Sequence, residues 1–334
     1  MALLVSAICA VGAQPARAME VGVADNPVFF SQSYYSREDA LANGLAFGAR
    51  ALRIEVYWSD YVRRGYAPYD AAVDAARARG IRPQLALVGT PKYDDGDKRI
   101  TWRNPNVRMF AGWMGAVVAH FRGRVGRYSV WNEPNQCYFL SKGACSYSRA
   151  AVKARVNVYR TLYRAGYAAA KRSDRRAQVL IGELAPINDP LGFLGRVANG
   201  TYRLLSDGAA LHPYELVRNR AVTGISSTPR VKRTLSGLAR RGRLRTPGGG
   251  TVPIYYTEFG YITGYGGLRT ESQRARRTVA ALRYARRKGV RQVVYYHLVK
   301  APAGVADPFP SGIVTHTGSP TSTYTALVRA RGSF

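Results

Sequence analysis

From residue 20 onward, short apolar runs of strand type alternate with longer Ala- and Arg-rich stretches whose apolar positions return with helical period. The strand-type runs cover residues 21–24, 51–56, 82–88, 128–133, 177–183, 208–212, 252–258 and 292–297. The helical stretches between and after them cover 37–47, 69–79, 105–121, 147–172, 192–199, 229–241, 271–288 and 321–331. Gly80 follows the second of these as a natural helix stop. Such alternation is the signature of a parallel sheet wrapped by helices. Eight strand–helix pairs without an internal repeat predict the α/β class and a single closed (β/α)8 barrel. No Gly-x-Gly-x-x-Gly follows the first strand and no Walker-type loop occurs, which argues against an open dinucleotide-binding sheet. The Gly-rich stretch 246–250 reads as a flexible entry into strand seven, so residues 19–334 are expected to form one catalytic domain.

In such a barrel the chemistry lies where the strands end. Strand four ends in Trp131, Asn132, Glu133, Pro134 and Asn135, and strand seven in Tyr256, Thr257, Glu258, Phe259 and Gly260. Two carboxylates are therefore expected at one barrel mouth, the requirement for glycosidic cleavage. One protonates the leaving oxygen while the other attacks the sugar carbon. Other hydrolytic chemistries lack their signatures. There is no Gly-x-Ser-x-Gly for a serine nucleophile and no His-Glu-x-x-His for a metal.

Asn132-Glu133-Pro134 on strand four with Glu258 on strand seven resembles clan A of the glycoside hydrolases, nearest families 5 and 39. That resemblance covers the chain from about residue 20 and implies a (β/α)8 fold and retaining O-glycosidase chemistry without a cofactor or metal. It implies Glu133 as acid/base, Glu258 as nucleophile and Asn132 as the group that meets the sugar 2-hydroxyl. Arg53 on strand two resembles the clan's arginine beside the nucleophile, although Glu55 offers it a structural partner. His212-Pro213-Tyr214 resembles the His-x-Tyr element whose tyrosine touches the nucleophile. Where many members end strand eight with a tryptophan under the first sugar, this chain has Tyr295, Tyr296 and His297. Arg53 is expected to depress the pKa of Glu258, and the apolar surroundings of Glu133 to raise its own.

Several further residues have two readings. Trp58, Trp102, Trp131 and Tyr138 either stack on sugar faces or pack in the interior, while Trp113 sits on a core period. Tyr256 and His297 are candidates for substrate contact, and Glu183 and Asp25 either line the cleft or brace loops. Asp94, Asp95 and Asp97 lack the twelve-residue calcium pattern and read as a solvated loop.

Composition and charge then place the chain. Apolar residues make up 46% of it, enough for a large core, and no run reaches the length of a membrane span. A short apolar N-terminal stretch followed by Ala16-Arg17-Ala18 looks like a signal peptide spanning residues 1–18, which predicts a secreted protein. Cys9 sits in no lipobox-like context. The remaining cysteines, Cys137 and Cys145, are expected to form a disulfide, because no histidine lies near enough to complete a zinc site. A net charge of +30 suggests an anionic glycan or envelope as partner, although the basic residues fall mostly on outer helix faces. No nucleic-acid module is present, and a monomer is expected. The expected substrate is an oligo- or polysaccharide; the rival is a barrel that binds glycan or cell envelope without cutting it.

Overall fold

A computed structural model describes residues 18–90, 103–215, 224–264, 268, 270–307 and 309–334. Trp102, the loop with Asp94, Asp95 and Asp97, and the expected signal segment up to residue 17 lie outside the described residues.

Eight parallel strands close into a barrel in which spatial order follows chain order. They are β1 (Glu20–Ala24), β2 (Ala51–Tyr57), β3 (Arg82–Val88), β4 (Arg127–Val130), β5 (Gln178–Leu184), β6 (Gly208–Leu211), β7 (Ile254–Phe259) and β8 (Gln292–Tyr296). β8 closes on β1 with Gln292 opposite Glu20 and Tyr296 opposite Ala24. Around them lie α1 (Asn26–Phe29), α2 (Arg37–Ala46), α3 (Trp58–Arg64), α4 (Ala67–Ala78) and α5 (Val107–His120). The ring continues with α6 (Arg149–Ser173), α7 (Pro190–Ala198), α8 (Thr228–Arg240), α9 (Glu271–Arg287) and α10 (Ser322–Arg329). Polar caps set where the helices begin: Ser36, Asn106, Ser148 and Thr321 each accept a backbone N–H of the first turn. Thr270 and Gln273 form a reciprocal capping box on α9.

Outward-facing Leu52, Ile54 and Val56 of β2 join Phe110, Met114, Val117, Leu162 and their neighbours in one apolar layer between sheet and helices. The base of the barrel is closed differently. Glu20 accepts from Arg127 (2.8 Å) and from Gln292 (2.9 Å), and Arg127 also donates to Gln178 (3.1 Å) and Gln84 (3.2 Å). Just above, Tyr255 packs with Leu180 and Ala210. Gly208 has no side chain because its Cβ would stand 2.4 Å from the Tyr255 ring.

Two bulges break the strand period and matter for the site. On β5, Gly182 pairs with Ala210 and Leu184 with Leu211, so Glu183 is the extra residue. Gly182 has φ +114° there, with the Ala210 carbonyl 2.4 Å from where a Cβ would stand. On β7, Tyr256 pairs with Val293 but Phe259 with Tyr295, three residues against two. Both bulges turn a glutamate inward, above the Leu180–Ala210–Tyr255 cluster. No helix among the described residues is long and apolar enough to cross a membrane.

Candidate active site

The strand ends bring four glutamates and two cations together. Period two on β2 places Arg53, Glu55 and Tyr57 on the barrel's inner face. β4 ends earlier than expected, at Val130, because Trp131 (φ +72°) and Glu133 (φ +41°) take left-handed backbone conformations. The turn is fixed by the Trp131 N–H donating to Leu87 O and the Glu133 N–H donating to Glu183 O, both at 2.9 Å. Such conformations are costly for non-glycine residues and gather at functional sites.

Arg53 lies at the centre, 1% exposed. Its Nη1 meets Glu258 at 2.9 Å, its Nε donates to Glu183 at 3.0 Å, and its Nη2 reaches Glu55 and Asn132, both at 3.2 Å. His212 presents Nδ1 to Glu133 at 2.9 Å and to Glu258 at 3.4 Å, and Nε2 to Glu183 at 3.3 Å. The Tyr214 hydroxyl donates to Glu258 at 2.7 Å. A continuous chain of ion pairs therefore runs Glu258–Arg53–Glu183–His212–Glu133 across the mouth.

The charges follow from these contacts. Burial pulls His212 down, but Glu258, Glu133 and Glu183 outweigh it and raise its pKa to about 10. Both ring nitrogens then donate, which suits a carboxylate on each. Burial raises Glu183, yet Arg53 and then His212 bring it down to about 2. Glu258 corrects the expectation of a lowered pKa: burial raises it above its ordinary value despite His212 and Arg53, with Glu55 and Glu133 adding to the rise. The side chain of Glu133 is 16% exposed, against 8% for Glu258 and 0% for Glu183. Of these three, Glu133 is best placed to exchange a proton with a leaving group or water.

Glu133, His212 and Glu258 each bring one potential ligand atom within 4.8 Å of the others. That set is nonetheless a poor metal site, because a cationic His212 has no lone pair to give and Arg53 already neutralises Glu258.

Three aromatic candidates are corrected. Trp58 is 5% exposed and stacks on Trp113 at 5.0 Å, because it opens α3 and faces the helical layer. Trp131 is fully buried, and its Nε1 donates to Phe139 O at 2.5 Å, so its left-handed turn carries the ring away from the mouth. Tyr256 is also fully buried and shares a 2.7 Å hydrogen bond with Thr228 of α8. The β7 bulge shifts the strand's phase, so Tyr256 faces out while Glu258 faces in. Tyr138, in contrast, is 68% exposed. His297 does reach the mouth, next to Asp307 at 3.5 Å. Asp25 braces, accepting from the Val299 N–H at 2.9 Å, and burial pushes it up to about 6. Cys137 and Cys145 are joined by a disulfide.

Sequence reasoning missed Tyr57 and Asp307 as neighbours of the site, and had Tyr296 only as a departure from the tryptophan at the end of strand eight. Tyr57 was recoverable, two and four residues beyond Glu55 and Arg53 on one strand face. Asp307 was not, since a loop with no local pattern carries it in.

No protein-family model matches the chain, and no curated protein does. Solved structures do. A family 39 glycoside hydrolase from the gut symbiont Bacteroides cellulosilyticus WH2 matches with TM-score 0.69 and 18% identity, over 95% of this chain and 64% of that one. A GH39 enzyme from Xanthomonas axonopodis pv. citri matches with TM-score 0.67 and 18% identity, over 95% and 67%. A monomeric beta-xylosidase from Caulobacter crescentus CB15 matches with TM-score 0.66 and 19% identity, over 95% and 69%. The chain thus spans about two thirds of the length of these structures, and what it shares with them at such identity is the fold.

Proposed function

We propose that this protein is a retaining glycoside hydrolase that cleaves O-glycosidic bonds of an oligo- or polysaccharide outside the cell. The observation that carries the reading is the spacing of the pair: a carboxylate oxygen of Glu133 and one of Glu258 lie within 4.8 Å. Retaining pairs stand roughly 5–5.5 Å apart, whereas inverting pairs need roughly 6.5–9.5 Å to admit a water. Glu258 attacks the anomeric carbon as Glu133 gives its proton to the departing oxygen, forming a glycosyl ester and a free alcohol. Glu133, now a carboxylate, takes a proton from water, whose oxygen displaces Glu258 and restores both residues.

The neighbours fit these steps. Arg53 and Tyr214 each hold one oxygen of Glu258, which orients the carboxylate for attack. His212 donates to Glu133 and offsets its charge once the proton has left. Export is supported by the N-terminal segment and by the disulfide, which suits an oxidising compartment.

The test is sugar release from a panel of aryl glycosides and polysaccharides by the wild type, Glu133→Gln and Glu258→Gln. Cleavage by the wild type with losses of several orders of magnitude in both variants supports the reading. A folded wild type that binds glycan as tightly as Glu258→Gln does, and releases nothing, supports the binding barrel instead.

A further inference from the structure

The net charge of +30 points outward to anionic partners, but the space beside the nucleophile has the opposite character. A cavity of about 340 Å³ opens over Arg53 between the ends of β1, β2 and β8. That is the lower end of the range for ligand sites, roughly 300–1,000 Å³. Its polar walls come from Asn26, Tyr34, Glu55, Tyr296, His297 and Asp307. Glu133 lies in the turn after β4, and His212, Glu183 and Tyr214 fill the β5–β6 side with buried atoms. Among the described residues this cavity lies on the β8–β1–β2 side; Glu258 does not line it but is joined to it through Arg53, 2.9 Å away, and the sugar that becomes bound to Glu258 is placed there.

Two carboxylates, Glu55 and Asp307, stand in that wall. The positive groups of the described lining are Arg53 and His297, and neither has charge to spare. Every guanidinium nitrogen of Arg53 is engaged: Nε by Glu183, Nη1 by Glu258, and Nη2 by Glu183, Glu55 and Asn132. His297 faces Asp307. A sugar carboxylate or sulfate placed here would meet two like charges with no free cation among the described lining residues to pair it. Hydroxyl groups, in contrast, find acceptors in Glu55 and Asp307.

Resting on the hydrolase reading, we propose that this cavity is the glycone subsite, that it takes a sugar with free hydroxyls, and that it rejects one carrying an anionic group. Glu55 and Asp307 set that choice. Any affinity for acidic polymers then belongs to other surfaces. One is the groove at the barrel's base, lined by Arg77, Arg82, Arg124, Arg127 and Arg176 together with Asp74.

The experiment uses matched pairs that differ only in the charge at C6: aryl β-glucoside and β-glucuronide, β-galactoside and β-galacturonide, β-mannoside and β-mannuronide. Binding of the corresponding methyl glycosides to the wild type is followed by NMR line broadening. The neutral member is expected to win in each productive pair, by on the order of a hundredfold in kcat/KM. Asp307→Asn is expected to narrow that ratio several-fold towards the uronide. Equal or better turnover of a uronide overturns the proposal while leaving the hydrolase reading intact. Neutral methyl glycosides that bind without any aryl glycoside being cut overturn the hydrolase reading and keep the pocket assignment. If neither member of any pair binds or is cleaved, the cavity is not a sugar site and the proposal falls.

Discussion

The residue with the most consequence per atom is Glu183, which never meets solvent and touches both cations of the site. It joins the Arg53–Glu258 half of the ion-pair chain to the His212–Glu133 half, and so fixes the proposed nucleophile and acid in one frame. Glu183→Gln keeps the shape and removes the charge. Its kcat is expected to fall about a hundredfold with KM within a few-fold, because small misplacements near reacting groups cost about that much. The alkaline limb of its pH–rate profile is expected to move to lower pH, since the remaining carboxylates lose a negative neighbour. A fall in kcat with an unmoved profile would reduce Glu183 to a packing role. His212 gives a second test at this scale. Its pKa is raised from 6.5 to about 10, so the stability it contributes is whole below about 6.5 and disappears as pH climbs through 10. The urea midpoint of His212→Gln should therefore lie below the wild type at pH 6 and approach it by pH 10; a constant gap would contradict the assigned charge.

At the scale of elements, the strand and helix series was readable because its signals are local. Apolar strand runs and helical periods repeat eight times, and the observed bounds of the main strands and helices fall within three residues of those expected. Asn132, His212 and Glu258 were readable as polar residues at apolar strand ends, and Arg53, inside β2, through the family resemblance. Glu183 was left open between cleft and brace and Tyr256 was turned the wrong way, because each depends on a bulge, and a bulge is defined by the partner strand rather than by its own sequence. Trp58 and Trp131 failed through direction: an aromatic near a strand end gives no sign of which way the following turn carries it. The segment after Glu133 is held by two devices, the Cys137–Cys145 disulfide and the buried Arg155 of α6. Arg155 donates to Leu140 O at 2.9 Å, Asn135 O at 3.3 Å and Ser146 O at 2.6 Å. Replacing both cysteines by serine is expected to cost about 2 kcal/mol in urea unfolding, near the lower end for short disulfide loops. Because Arg155 remains, kcat should stay within a few-fold; a collapse of activity would show that the disulfide alone shapes the acid's loop.

On the scale of the whole molecule, a strongly basic exterior surrounds a mouth in which Glu55, Glu133, Glu183 and Glu258 share Arg53 and His212. Composition reported the exterior and was silent about the mouth, which is why net charge suggested an acidic substrate while the cleft argues for a neutral glycone. The central claim is that Glu258 carries the sugar and Glu133 carries the proton. The most direct measurement is azide rescue of Glu133→Ala and Glu258→Ala on an activated aryl glycoside cut by the wild type, with the anomeric configuration of the glycosyl azide read by proton NMR. A retained azide from Glu133→Ala and an inverted azide from Glu258→Ala are the expected products, since azide attacks the glycosyl ester in the first and replaces the nucleophile in the second. The same configuration from both variants, or the two outcomes exchanged, would contradict the account.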